Sequence, residues 1–268
     1  MPEGDVVWQT ARRLHEALAG RPLTRSDFRV PRLATADLRG RTVLEAVARG
    51  KHLLVRVDGG VTVHTHLMME GVWRVRRAAG PPPRDHRIRL VLGNAEWLAL
   101  GYSLGVVELL RTAEEHRAVG HLGPDLLDAA WGPGPAAEAV RRLEERPARP
   151  IGEALLDQTR LAGVGNVYKA EVLFLRGVHP WTPVGDVPDL PGLVELAHRL
   201  LDANKDRYGH ITTGDRRPGR EHWVYGRAGR PCRRCGTRVE RADQGPDAAE
   251  RVTFWCPRCQ PAPAGGTP

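Results

Sequence analysis

Asp58-Gly59-Gly60-Val61-Thr62-Val63-His64-Thr65-His66-Leu67 sets a turn signal ahead of seven residues that alternate apolar and polar side chains. Alternation with period two puts one face of a strand inward and the other outward, and the Asp-Gly-Gly before it reads as a hairpin. The same texture continues on both sides. From about residue 41 to 111 the chain reads as short strands, including Trp73-Arg74-Val75-Arg76, residues 87–92 and residues 106–110, with a loop at Gly80-Pro81-Pro82-Pro83. Several short strands at this spacing predict an antiparallel sandwich. His64 and His66 fall on one face of the central strand. They read as polar strand residues rather than as a metal pair.

Around this core the periodicity is helical. Val7, Ala11, Leu14 and Leu18 recur at the spacing of one helix face, which predicts a helix over 5–19 with Asp5 as its N-cap. Trp131-Gly132-Pro133-Gly134-Pro135 reads as a domain boundary. Helices are expected beyond it over 136–145, 151–159, 166–176 and 190–207. Between two of them, Leu161-Ala162-Gly163-Val164-Gly165-Asn166 places two glycines before a helix start, a ready phosphate site if the glycines take positive φ. The expected divisions are 1–130, 131–222, 223–261 and a disordered tail over 262–268.

All four cysteines lie near the end of the chain. Cys232-x2-Cys235 and Cys256-x2-Cys259, twenty residues apart, have the spacing of one structural zinc ion held on two knuckles. Four thiolates satisfy zinc, so no open coordination position is expected. Arg216, Arg217, Arg220, Arg227, Arg230, Arg233, Arg234, Arg238, Arg241 and Arg251 surround the knuckles. A rigid hairpin carrying this much charge predicts a surface that tracks phosphates. The 268 residues carry a net charge of +8, which favours a nucleic-acid partner. No apolar run approaches the ~20 residues that span a bilayer. A soluble, cytoplasmic protein follows as the expectation. Lysine occurs only at Lys51, Lys169 and Lys205. It is a compact point charge that arginine replaces poorly.

Removal of Met1 leaves Pro2-Glu3-Gly4-Asp5, a secondary amine followed by a carboxylate. Only at a chain end is proline nitrogen nucleophilic. Its attack on an aldehyde-level carbon gives an iminium ion, an electron sink that needs no further proton. The positive end of the first helix disfavours protonation of that amine.

Pro2-Glu3-Gly4, Gly50-Lys51-His52, His66-Leu67-Met68-Met69-Glu70-Gly71, Leu122-Gly123-Pro124-Asp125, the stretch from Asp157-Gln158 to Val167-Tyr168, Val224-Tyr225-Gly226-Arg227 and the cysteine hairpin with Arg251 occur in that order. Together they make the chain resemble the formamidopyrimidine-DNA glycosylase / endonuclease VIII family of base-excision repair enzymes over nearly its whole length. The resemblance implies an α+β fold: an N-terminal helix and antiparallel β-sandwich, then a helix–two-turns–helix domain and a C-terminal zinc hairpin. It implies a bifunctional glycosylase and lyase acting on damaged DNA. Pro2 would attack C1′, Glu3 would handle protons on the sugar, and Lys51 would face the lesion phosphate. Asn166 and Arg251 would clamp phosphates, with Gly165, Lys169 and Arg217 in the same DNA-contacting set, and Met69 would fill the gap left by a flipped base. The chain would be a monomer in a bacterial cytoplasm, associated with the nucleoid.

Two departures bear on substrate. The family commonly begins Pro-Glu-x-Pro-Glu, whereas Asp5-Val6 stands here. The Arg-Phe-Gly of the purine-specific branch is replaced by Tyr102-Ser103-Leu104-Gly105. Both favour oxidised pyrimidines. Oxidised-purine removal and a non-catalytic zinc-hairpin damage binder are the competing readings.

Overall fold

A computed structural model of the protein describes residues 2–207, 209–245 and 251–263. Met1, whose removal is an expectation, and residues 264–268 of the tail expected to be disordered over 262–268 lie outside the described residues. The chain divides into two compact units, Met1–His121 and Leu122–Pro268.

The first unit opens with α1 (Gly4–Leu18). It buries Val7, Ala11, Leu14 and Leu18, the apolar face read from the sequence. Glu3, not Asp5, occupies the N-cap position. Asp5 lies inside the first turn, where its carboxylate accepts from the Val6 amide at 2.8 Å. Eight strands follow: β1 (Arg25–Phe28), β2 (Val43–Arg49), β3 (His52–Val57), β4 (Val61–His66), β5 (Val72–Arg77), β6 (Ile88–Gly93), β7 (Trp97–Tyr102) and β8 (Val106–Arg111). They form two antiparallel sheets, ordered β1-β6-β7-β5 and β2-β3-β4-β8. Leu53, Val55, Val57 and Val63 of one sheet meet Leu90, Leu92 and Ala99 of the other, and α1 packs into the same core. This is the expected sandwich. The short helix α2 (His116–Val119) closes the unit.

The second unit carries α3 (Pro133–Glu144), α4 (Ile151–Ala154), α5 (Asn166–Arg176), α6 (Leu190–Asn204) and the hairpin β9 (Glu240–Gln244) with β10 (Arg251–Trp255). The Gly/Pro stretch read as a boundary is instead the start of α3, with Gly132 at the N-cap and proline in the first turn, a placement proline favours. The break between units falls earlier, after His121. Helix α4 has one turn, not the expected nine residues. It ends because Asp157 turns its carboxylate onto the Thr159 amide and hydroxyl, an Asx turn that competes with helix continuation. Among the described residues no helix is long and apolar enough to cross a membrane.

Candidate functional site

Strand register gathers the candidate residues of the first unit at one end of the sandwich. β2 and β3 pair Arg49 with His52, so Gly50 and Lys51 alone make the hairpin loop. Gly50 takes φ 55°, and a glycine at the first position with positive φ fits a type II′ turn. β3 and β4 pair His52 with His66, and β4 and β8 pair His66 with Val106. The turn after β4, residues 67–71, and the turn before β8, residues 103–105, therefore lie beside Lys51. The start of α1 points toward them. Ala19 bridges Val43, and the Ala46 amide donates to His15 Nδ1 at 3.3 Å, so α1 runs antiparallel to β2. Helix and strand have nearly equal lengths, ~22 and ~21 Å. The Pro2-Glu3 end of α1 is thus directed toward the end of β2 that enters the Gly50-Lys51 loop. Glu3 is fully buried and Pro2 half-buried. Met69 projects from its turn at 63 % exposure, and Met68 at 52 %.

The two histidines of β4 belong to a larger network that the sequence reading missed. His64 Nδ1 lies 2.9 Å from Glu108 Oε2, and His64 Nε2 lies 2.9 Å from His52 Nδ1. A carboxylate only accepts, so His64 Nδ1 carries a proton and, in the neutral network, His64 Nε2 accepts from His52. The His52 ring also meets His66 and His121 edge-on. Burial, then His66, His64 and His121, push His52 down to about 3. Burial, then the Lys51 ammonium and His64, push His66 down to about 4. Both rings are neutral near pH 7. Reflection of the chain about the Asp58-Gly59-Gly60 loop was the available signal, since it sets His52 opposite His66.

In the second unit the glycine turn is held from behind. Gln158 imitates backbone: its amide donates to Val164 O at 3.0 Å, and its Oε1 accepts from Gly163 N at 3.1 Å. Leu122-Gly123-Pro124-Asp125 pairs alongside, with Gly123 N donating to Gln158 O and Ala162 N to Pro124 O. Only Gly163 takes positive φ, 108°. Gly165, the N-cap of α5, is extended at −123°. Asn166 starts the helix, and its side-chain amide donates to Val252 O at 2.8 Å. This bond brings Asn166 beside Arg251, which is exposed at the head of β10. An amide nitrogen has two protons, so one remains for a further acceptor.

Lys169 corrects the sequence reading. It is fully buried, and its ammonium donates to Thr253 Oγ1 at 2.6 Å. It ties α5 to β10 and does not lie on a DNA-facing surface. Arg217 is exposed, with its guanidinium forked onto Asp215 at 2.6 Å. The arginine stripe is thinner than its count. Arg233 donates to His222 O and Gly219 O, Arg238 to Gly229 O, and Arg234 stacks 4.4 Å from the Phe174 ring centre. These side chains pin the finger to the segment before it, to α5 and to its own loop. A further unpredicted element is Glu171, fully buried, whose carboxylate accepts from the amides of Trp223, Val224 and Tyr225 and from the Thr212 hydroxyl. It anchors the segment leading into the finger.

The four cysteine sulfurs lie within 4.8 Å of one another. Cys232 and Cys259 approach to 4.0 Å, Cys235 and Cys256 to 3.5 Å. Four thiolates around zinc at ~2.3 Å stand ~3.8 Å apart, so the donor set fits one tetrahedral ion. Gly236, at φ 80°, lets the first knuckle turn back so that its amide donates to Cys232 O. The protein holds one structural zinc ion here.

Comparison with known proteins agrees with this geometry. Residues 1–101 match the formamidopyrimidine-DNA glycosylase N-terminal domain, residues 122–189 the formamidopyrimidine-DNA glycosylase H2TH domain, and residues 229–262 the zinc finger found in FPG and IleRS. A probable endonuclease 8 2 of Streptomyces coelicolor is 59% identical, over 98% of this chain and 95% of its own. A DNA-(apurinic or apyrimidinic site) lyase Nei2 of Mycolicibacterium smegmatis is 50% identical, over 98% and 100%. The solved complex of Lactococcus lactis Fpg with DNA containing an abasic site superposes with a TM-score of 0.80 at 25% identity, covering 97% of this chain and 100% of that one. Fold, zinc site and matches define a zinc-stapled DNA repair enzyme, a glycosylase with abasic-site lyase activity. The chain belongs to the formamidopyrimidine-DNA glycosylase / endonuclease VIII family, on its endonuclease VIII side.

Proposed function

We propose that the chain removes oxidised pyrimidines from DNA through its N-terminal proline and then cuts the strand. The Pro2 nitrogen lone pair attacks C1′. The C1′–N bond breaks, and the base leaves with the bonding pair and a proton. The C1′–O4′ bond then breaks: the Pro2 nitrogen, having given up its proton to the departing base, supplies its lone pair to form the iminium, and Glu3, next to Pro2 in sequence and buried, protonates the departing O4′. The resulting iminium draws electrons from C2′. Loss of the C2′ proton expels the 3′ phosphate, and a second elimination expels the 5′ phosphate. Water then releases the amine.

The observation that supports this reading is the antiparallel run of α1 along β2, which directs the Pro2-Glu3 end of the helix toward the two-residue Lys51 hairpin. Lys51 offers a point charge to the lesion phosphate, and Met69, the most exposed of the large apolar side chains described, fills the space of the flipped nucleotide. Asn166 and Arg251, joined through Val252, clamp phosphate in the second unit, with Gly165 opening the helix end and Arg217 adding charge. The pyrimidine preference rests on Tyr102-Ser103-Leu104-Gly105, which supplies no arginine–phenylalanine pair for a purine. The chain acts as a monomer in the cytoplasm, near the nucleoid.

Borohydride trapping on an abasic-site duplex tests the chemistry. A covalent adduct mapping to Pro2 is expected, and a residual tag ahead of Pro2 should abolish it. Full turnover without an adduct would refute the iminium route. Thymine glycol and 8-oxoguanine duplexes, compared side by side, test the pyrimidine preference.

A further inference from the structure

The turn that presents Met69 is strained, and one side chain holds it. Met68 has φ 55°, one of two non-glycine residues at positive φ among those described. That conformation costs an ordinary side chain on the order of 1–2 kcal/mol. The Met68 amide donates to His66 Nδ1 at 2.9 Å, while the His66 carbonyl accepts from Gly105 N at 3.1 Å. His66 thus grips both neighbouring turns, one with its ring and one with its backbone. The turns interlock: a Cβ on Gly105 would stand 2.3 Å from Met68 Cγ, and one on Gly71 would stand 2.3 Å from Leu67 O. An Nδ1 that accepts must be unprotonated, so the ring is the neutral Nε2–H tautomer. Burial, then Lys51 and His64, disfavour a second proton.

We infer that His66 is a positioning residue for strand penetration. Its Nδ1 holds Met68 left-handed and so presets the Met68-Met69 turn in the shape that enters the DNA stack. The inference rests on the reading of Met69 as the side chain that fills the flipped-out space. A turn already set spends no binding energy on ordering itself. The benefit should appear where a base must be extruded from a duplex, and not where the strand is already single.

The test is single-turnover base removal from one lesion in duplex and in single-stranded DNA, read as the ratio of the two rates. Asparagine carries Oδ1 where histidine carries Nδ1, whereas glutamine and alanine place no acceptor there. The ratio should fall about tenfold in His66→Gln and His66→Ala and stay within about twofold of wild type in His66→Asn. Hydrogen exchange at the Met68 amide should follow the same order, protected in the wild type and His66→Asn and fast in the other two. Met69→Ala, measured alongside, should also lower the ratio. A lowered ratio in Met69→Ala with His66→Asn no better than His66→Ala overturns the positioning role alone. An unchanged ratio in Met69→Ala overturns the wedge reading, and with it the purpose assigned to His66. Should His66→Ala fail to fold, the Asn and Gln variants, which differ by one methylene, still decide.

Discussion

Acid should weaken the sandwich through His52 and His66, by an amount the structure sets. Their folded pKa values lie at about 3 and about 4, below an ordinary value near 6.5. As pH falls below 6.5 the unfolded chain takes up protons that these rings refuse, so the stabilisation present above that value is lost progressively, down to about pH 4 for His66 and about pH 3 for His52. At about pH 5 each ring forgoes a proton worth ~2 kcal/mol. Both are only partly buried, and halving the sum for solvent screening leaves about 2 kcal/mol for the pair. That corresponds to a fall of roughly 5–10 °C in the melting temperature of a unit of this size. Burial sets most of the shifts, and the charged neighbours that add to them, Lys51, His64 and His121, remain in place in the comparison variant, as does Glu108 beside His64. Urea unfolding of wild type and of His52→Asn/His66→Asn, from about pH 7 to about pH 5, isolates the effect. The wild type should lose about 2 kcal/mol more than the variant. Parallel losses in the two proteins would refute the burial argument.

Cys232→Ser should lose the metal and weaken DNA binding, because β10 carries Arg251 and the carbonyl that holds Asn166; zinc content by mass spectrometry and a binding isotherm check it. Arg251→Ala should lower the slope of log affinity against log salt by about one, as one lost phosphate contact requires. Lys169→Met, by contrast, should leave that slope unchanged, because its ammonium is spent on Thr253 inside the protein; a reduced slope would put Lys169 back among the DNA contacts.

What could be read in advance follows physical range. Helix α5 was legible to the residue, because a glycine–asparagine start and the left-handed Gly177 at φ 69° mark its ends locally. The knuckles were legible for the same reason, since spacing alone brings two sulfurs to one edge. Strand β4 showed its alternation. β7 reads Trp97-Leu98-Ala99-Leu100-Gly101-Tyr102, buried along most of its length, and so gives no period to detect. Lys169 misled because α5 is buried on every side from Asn166 to Phe174, and a lysine in such a helix has no outward face to choose. The histidine network and the Glu171 anchor depend on partners far away in sequence, which no local pattern announces.

The Gly50-Lys51 hairpin also works as a ruler. Side chains alternate along β3, so inserting one residue in that loop would exchange its two faces, sending His52, Leu54 and Arg56 inward and Leu53, Val55 and Val57 outward. The lysine cannot be moved forward by a single step without turning a whole strand inside out. Lengthening there should therefore be tolerated only in even increments, if at all, whereas the exposed Gly80-Pro81-Pro82-Pro83 loop has no such parity to keep.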